Sequence, residues 1–151
     1  MTPAAGSRLP DAWAGPSPGA APAQLALAWA LFPLVVLWTL PQTAVGLAIA
    51  ALRRWQGYPW WLYRFGPFLF CVVPAPSIAS AGISLGVFVI ADRPAILTHE
   101  FCHLYTAAWL GWLYLPVYGL EYLFAGHDRS PHERLTCRFA SANRRSWVRA
   151  K

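Results

Sequence analysis

Two long stretches without a charged residue constrain this chain more than any other feature. The first covers the 28 residues 25–52 and the second the 27 residues 65–91. A helix needs about 20 apolar residues to cross a bilayer core. Pro33 and Pro41 lie within the first stretch and are expected to kink such a helix. The first stretch therefore predicts a kinked membrane span over residues 24–52, and it is too long for a cleaved signal peptide.

The composition points the same way. Hydrophobic residues make up 57% of the chain and charged residues 12%, and the mean hydropathy is +0.39. The net charge is +6, and seven of the basic residues lie in residues 129–151. Beside apolar segments, such a basic end is typical of a cytoplasmic flank attracted to anionic lipid. These features favour a lipid bilayer as the partner and argue against nucleic acid.

Proline, glycine and polar residues mark the boundaries of the remaining predicted segments. Residues 65–91 contain several prolines and glycines, which favours a broken or re-entrant segment, or a short buried strand at residues 85–90. The expected fold class is mainly α: a helical integral membrane protein with a kinked N-terminal span and a single membrane-embedded domain. The predicted order is a flexible Pro/Ala-rich tail (1–23), the domain (24–151) with its span (24–52), the broken segment (65–91), a motif helix (94–110), a short apolar return (112–125) and a basic C-terminal helix (131–145).

The motif helix contains the pattern with the clearest chemistry. Residues 99–103 read H-E-F-C-H, which matches H-E-x-x-H. Pro94 suits the first turn of a helix and Gly111 the residue just past its end, so a helix over residues 94–110 is predicted. The pattern rarely arises by accident in a chain with so few histidines and glutamates.

On a helix, this spacing directs two imidazoles to the same side. His99 and His103 would lie one turn apart with Glu100 beside them. Imidazole nitrogens bind Zn²⁺ well, and a third protein ligand would leave the fourth position for water. Zinc lowers the pKa of such a water, and Glu100 is the expected base that takes its proton.

A third ligand must come from elsewhere in the chain. Glu133 is the preferred candidate because it lies 30 residues past His103 near the start of a predicted helix, which can pack across the motif helix. The alternative for Glu133 is an acid in the first turn of a helix, favoured by the helix dipole or by pairing with a nearby arginine. For His127, Asp128 and His132 the alternative is a solvated turn around Gly126. The downstream candidates are Glu121, His127, Asp128, His132 and Glu133.

Two further patterns limit the type of metal site. The metzincin extension of the motif is missing, because Thr106 and Trp109 occupy its glycine and third histidine positions. Cys71, Cys102 and Cys137 are an odd number without C-x-x-C spacing, so reduced thiols are expected. Cys102 is expected to project away from the midpoint of the two histidines, whereas Cys137 remains open as a soft ligand.

Several short patterns carry a family resemblance. Residues 98–119 resemble the signature of small uncharacterised bacterial integral membrane proteins in which an H-E-x-G-H motif is followed by L-G-x-L-Y-L and a glycine. Residues 37–43, 84–86 and 133–134 add to the resemblance, which extends over most of residues 35–145.

More distantly, the chain is similar to gluzincin-type membrane zinc metallopeptidases. That similarity implies that His99, His103 and Glu133 bind Zn²⁺ and that Glu100 is the general base. It also implies a location in the bacterial inner membrane, and the positive-inside rule makes the basic C-terminus cytoplasmic. Cys102 departs from the pattern, since a glycine commonly stands before the second histidine.

The sequence supports a membrane-bound zinc metallopeptidase that hydrolyses peptide bonds, acting on a peptide or membrane-protein substrate. The alternative is a non-catalytic membrane protein that binds metal or serves as an interaction partner. A third hypothesis is a lipid-interface protein that uses its basic tail and aromatic residues without metal.

Overall fold

The computed structural model describes residues 13, 22–76, 82–126, 129–142 and 147–149. In these residues two helices are followed by four strands, three helices and a last strand. Short 3-10 turns at Pro94–Ile96 and Gly111–Leu113 lie on either side of the third helix. The helices are α1 (Pro22–Trp38), α2 (Leu40–Trp55), α3 (Leu97–Leu110), α4 (Tyr114–Ala125) and α5 (Pro131–Ala142), and the strands are β1 (Trp61–Phe65), β2 (Phe68–Pro74), β3 (Gly82–Leu85), β4 (Phe88–Ala91) and β5 (Trp147–Arg149).

The strands form one mixed sheet in the order β3-β4-β2-β1-β5. β1 and β2 form an antiparallel hairpin, and β3 and β4 form another, with Gly66 and Gly86 at positive φ in the two turns. β2 and β4 pair in parallel and join the hairpins, while β5 pairs antiparallel with β1. The described chain therefore combines helices with a sheet, and the prediction of a mainly α fold is wrong.

The sheet is the middle layer between two hydrophobic cores. Val72 and Val89 face a core that includes Phe101 of α3. The next residue along β2, Val73, faces a second core that includes Ala50 of α2. Successive strand residues point to opposite faces, so strands covered on both sides must be apolar at almost every position.

This double coverage explains why residues 65–91 carry no charge. The stretch was expected to be a broken or re-entrant membrane segment, but it contains β2, β3 and β4. The short strand expected at residues 85–90 overlaps both members of the second hairpin, since the Gly86 turn separates them. Residues 77–81 lie outside the described residues.

The predicted membrane span is two helices with a sharp corner. Among the described residues, no single helix combines the length and hydropathy needed to cross a bilayer. α1 and α2 satisfy that criterion only as a pair, and they are bent by 101°. The corner lies at Thr39, whose hydroxyl donates to the Val35 carbonyl (2.7 Å), rather than at Pro33 within α1. The prediction of a membrane-spanning helix over residues 24–52 is therefore wrong.

Residues of α2 next to this corner contact other parts of the protein. Gln42 is fully buried, and its Nε2 donates to the Gly111 carbonyl at 3.1 Å. Gly46 lets α2 approach the second hairpin closely, because a Cβ at this position would lie 2.6 Å from the Leu85 carbonyl oxygen. α2 is thus packed closely against the second hairpin.

The C-terminal helix supplies the element that faces α3. The Oγ of Ser130 accepts the backbone N–H of Glu133 (3.3 Å), as an N-cap does. α5 packs against α3 and ends at Ala142, not at residue 145 as expected. Residues 143–146 lie outside the described residues, as does the predicted N-terminal tail apart from Trp13 and the beginning of α1.

Candidate metal centre

The two motif histidines meet on the side of α3 that faces α5. His99 and His103 lie one helical turn apart, and their Nε2 atoms are 3.2 Å from each other. Their ring centroids are 4.8 Å apart. The i, i+4 spacing within one helix is sufficient to produce this arrangement.

Glu133 completes a triangle of donor atoms from the first turn of α5. Its Oε1 is 2.8 Å from the Nε2 of His99, and its Oε2 is 3.6 Å from the Nε2 of His103. The glutamate and His103 are buried, whereas His99 is partly exposed. The structure therefore brings together the two histidines and the acid that the sequence suggested as third ligand.

These distances suit a small divalent cation. In a tetrahedral zinc site, neighbouring nitrogen and oxygen ligands are separated by about 3.3 to 3.4 Å, because each lies about 2.0 to 2.2 Å from the metal. The 3.2 and 3.6 Å separations are close to this value, and the 2.8 Å contact is a hydrogen bond. Two imidazoles and one carboxylate also form a donor set that zinc prefers.

Hydroxyl groups orient the second histidine. The Nδ1 of His103 lies 3.3 Å from the Tyr114 hydroxyl and 3.4 Å from the Thr136 hydroxyl. An oxygen at Nδ1 fixes the ring of a metal-binding histidine and leaves Nε2 to face the metal. Tyr118 adds a hydroxyl that donates to the Oε2 of Glu133 at 3.4 Å.

The electrostatics of the centre favour positive charge. The hydrogen bond that His99 donates to Glu133 raises the pKa of His99, burial opposes this rise, and the negative charges of Glu133 and Glu100 add to it. Burial raises the pKa of Tyr114 and of Tyr118, so both remain neutral donors at physiological pH. Two carboxylates beside two imidazoles thus create a site in which a bound cation is stabilised.

Glu100 is held by the edge of the sheet. Its side chain is buried, and the Ser84 hydroxyl on β3 lies 2.8 Å from its Oε2. The same hydroxyl is 2.6 Å from the backbone carbonyl of Glu100. Gly82 leaves room for the carboxylate, because a Cβ there would lie 2.8 Å from Oε1. β3 thus fixes the orientation of the predicted base.

Two of the other predicted candidates, Glu121 and His132, lie outside this triangle. Glu121 and His132 form a separate pair, with Oε1 and Nδ1 2.7 Å apart, and the Ser130 hydroxyl donates to the other carboxylate oxygen at 2.7 Å. His127 and Asp128 lie outside the described residues.

Sequence reasoning gave the thiol of Cys137 little weight, yet it lies at the site. Its Sγ is 3.8 Å from the Nδ1 of His99. One ligand atom each from His99, Glu133 and Cys137 all lie within 4.8 Å of one another. The signal was available, since Cys137 follows Glu133 by four residues on the same helix. Ser84 and Tyr118 were also missed, because the segments that carry the family resemblance include them without assigning them a role.

No family model, curated protein or solved structure matches this chain.

Proposed function

We propose that this protein is a zinc-dependent hydrolase of peptide bonds, in which His99, His103 and Glu133 hold the metal. The convergence of three donors from two packed helices carries the proposal. A buried carboxylate facing imidazoles is costly to maintain without a compensating charge, and a divalent cation supplies one. When bound, zinc polarises a carbonyl and lowers the pKa of a water in its coordination shell.

Glu100 is the proposed general base. It neighbours His99 on α3, and its negative charge adds to the raised pKa of that imidazole, which supports this assignment. The Ser84 hydroxyl holds Oε2 in one orientation. The carboxylate of Glu100 accepts a proton from the attacking water and returns it to the leaving amine.

Two measurements on one variant test this function. Glu100→Gln keeps the shape of the side chain and removes its basicity. We expect the variant to bind zinc as tightly as the wild type and to lose about 10²- to 10⁴-fold in peptide hydrolysis, the usual contribution of a positioned base. Hydrolysis at the wild-type rate in Glu100→Gln would contradict the assignment.

A non-catalytic metal-binding protein is the second candidate, and the position of Cys137 favours it. Four protein ligands are typical of closed structural zinc sites, whereas catalytic sites keep one position open. Under this alternative, wild-type protein binds zinc but hydrolyses no peptide in a broad substrate library, and Glu100→Gln changes neither property.

We further propose an anionic lipid surface as the partner. A groove of about 640 Å³ between α1 and the α3–α4 junction is lined by apolar side chains, among them Leu37, Trp38, Trp112 and Leu113, all more than half exposed. Tryptophan is enriched where protein meets lipid headgroups, and the net charge of +6 complements anionic lipid. The bent helix pair would meet one face of the lipid layer without crossing it.

A further inference from the structure

We propose that Cys137 supplies a fourth protein ligand to the metal centre, so that the resting centre is closed to water. The inference rests on the proposed binding of metal by His99, His103 and Glu133, and it adds a regulatory property to that site.

The placement of Cys137 follows from helix geometry. It lies four residues after Glu133 on α5, so both side chains leave the same face of the helix. A His99 nitrogen, a Glu133 oxygen and the Cys137 Sγ all lie within 4.8 Å of one another. Ligated nitrogen and sulfur atoms are about 3.6 Å apart in a tetrahedral zinc site. Because the Sγ now lies 3.8 Å from the Nδ1 of His99, it joins a metal held by Nε2 when the thiol or the imidazole ring turns.

Two sets of donors meet at His99 and Glu133. His103 faces the Nε2 of His99, whereas the Cys137 thiol lies nearest its Nδ1, at 3.8 Å. His103 is buried and Cys137 is exposed. The imidazole of His103 therefore lies on the interior side of the site and the thiol on the side that solvent reaches.

Binding of the Cys137 thiol to the metal requires no further reactant. A thiol loses its proton to solvent as the sulfur–metal bond forms, and thiolates are among the preferred ligands of zinc. Two imidazoles, one carboxylate and one thiolate fill a tetrahedron. Water or substrate can then enter only when the thiolate leaves, so loss of the thiol opens the centre.

The two other cysteines serve as internal controls. Cys71 lies on β2, and Cys102 lies in the core against the sheet. Burial raises the pKa of Cys71 to about 12 and that of Cys102 to about 11, so both thiols react slowly. Cys71→Ala is the matched control for Cys137→Ala.

Cobalt substitution tests the assignment in the full chain. A thiolate bound to Co²⁺ gives a charge-transfer absorption in the near ultraviolet. We expect this band in the wild type and in Cys71→Ala, and its loss in Cys137→Ala. We also expect Cys137→Ala to bind Co²⁺ at least about tenfold more weakly, since even groups that only hydrogen-bond to a metal ligand change affinity by about 10- to 100-fold.

Alkylation provides an independent readout. Iodoacetamide should modify Cys137 in metal-free protein, and Zn²⁺ should protect it, as peptide mass spectrometry would show. Co²⁺ binding without the absorption band, or equal bands in wild type and Cys137→Ala, overturns the ligand assignment while the metal site stands. A thiol that only accepts a hydrogen bond from the Nδ1 of His99 would give that result. A wild type that binds no Co²⁺ overturns the metal site itself.

Discussion

At the scale of single residues, the proposed base contacts a strand that is distant from it in sequence. Glu100 belongs to α3, yet the hydroxyl 2.8 Å from its Oε2 comes from Ser84 on β3. That hydroxyl restricts the rotation of the carboxylate that we propose as the proton acceptor. Precise placement of a base contributes strongly to catalysis.

Replacing Ser84 tests this dependence. We expect Ser84→Ala to lower kcat about tenfold, with KM and zinc affinity unchanged, because one hydrogen bond to a charged group contributes about 1.5 kcal/mol or more. Steady-state kinetics and zinc titration measure the two effects. Ser141→Ala is the control, since that hydroxyl bonds only locally to the Arg138 carbonyl among the described contacts. An unaltered kcat in Ser84→Ala would show that the contact has no positioning role.

The metal-binding candidates of the site could largely be predicted from the sequence, whereas the hydroxyl groups that surround them could not. Helical periodicity is enough to pair His99 with His103, and the position of Glu133 near the start of a predicted helix made it the preferred third ligand. Ser84 and Tyr118 reach the centre through tertiary packing, for which short-range spacing gives no signal. Cys137 follows Glu133 by four residues, which is apparent from the sequence. Whether it reaches the site depends on which face of α5 is turned toward α3, and the sequence does not show this.

At the scale of secondary structure, the strands were misread because both faces of the sheet are covered. Val72 and Val73 enter different cores, so the alternation that marks an exposed sheet is missing. Such a run has the composition of a membrane segment. The helices around the motif and at residue 131 were easier to place, since Pro94, Gly111 and Ser130 mark their ends.

The close approach of α2 to the second hairpin leads to a stability prediction. Gly46→Ala would force its Cβ toward the Leu85 carbonyl, and we expect the free energy of unfolding to fall by about 1–3 kcal/mol. Gly119→Ala, also within a helix, meets nothing within 4 Å and should raise it by about 0.5–1 kcal/mol. Urea denaturation followed by circular dichroism measures both changes. Equal effects of the two substitutions would contradict the packing of α2 described above.

At the scale of the whole molecule, the sharp corner between α1 and α2 leaves apolar side chains on the outside. Leu34 and Leu37 on α1 are each more than 60% exposed, and Leu113 at the α3–α4 junction is similarly exposed. Hydropathy detected this apolar character but could not distinguish a span from a bent pair that packs on a sheet. The polar residues within the stretch, Thr39, Gln42 and Thr43, are all buried at the corner.

The lipid proposal predicts a specific loss on substitution within the groove. Leu113→Glu places a charge among its apolar lining and should weaken binding to vesicles of phosphatidylglycerol and phosphatidylcholine about tenfold or more. Leu135→Glu, at an exposed position on α5, is the matched control and should bind like the wild type. Vesicle co-sedimentation at fixed salt gives the partition coefficients. Equal binding by Leu113→Glu and wild type would argue against this groove as the lipid contact, and self-association that Leu113→Glu abolishes would indicate a second copy instead.

The amount of zinc bound per chain tests the central claim most directly. After zinc loading and removal of free metal, elemental analysis should find one zinc per wild-type chain and one in His132→Ala, whose imidazole belongs to the separate pair with Glu121. We expect His99→Ala and Glu133→Ala to retain almost none, because each removes one corner of the triangle formed by α3 and α5. A wild-type chain without zinc, or a Glu133→Ala chain that holds as much as the wild type, would contradict the account.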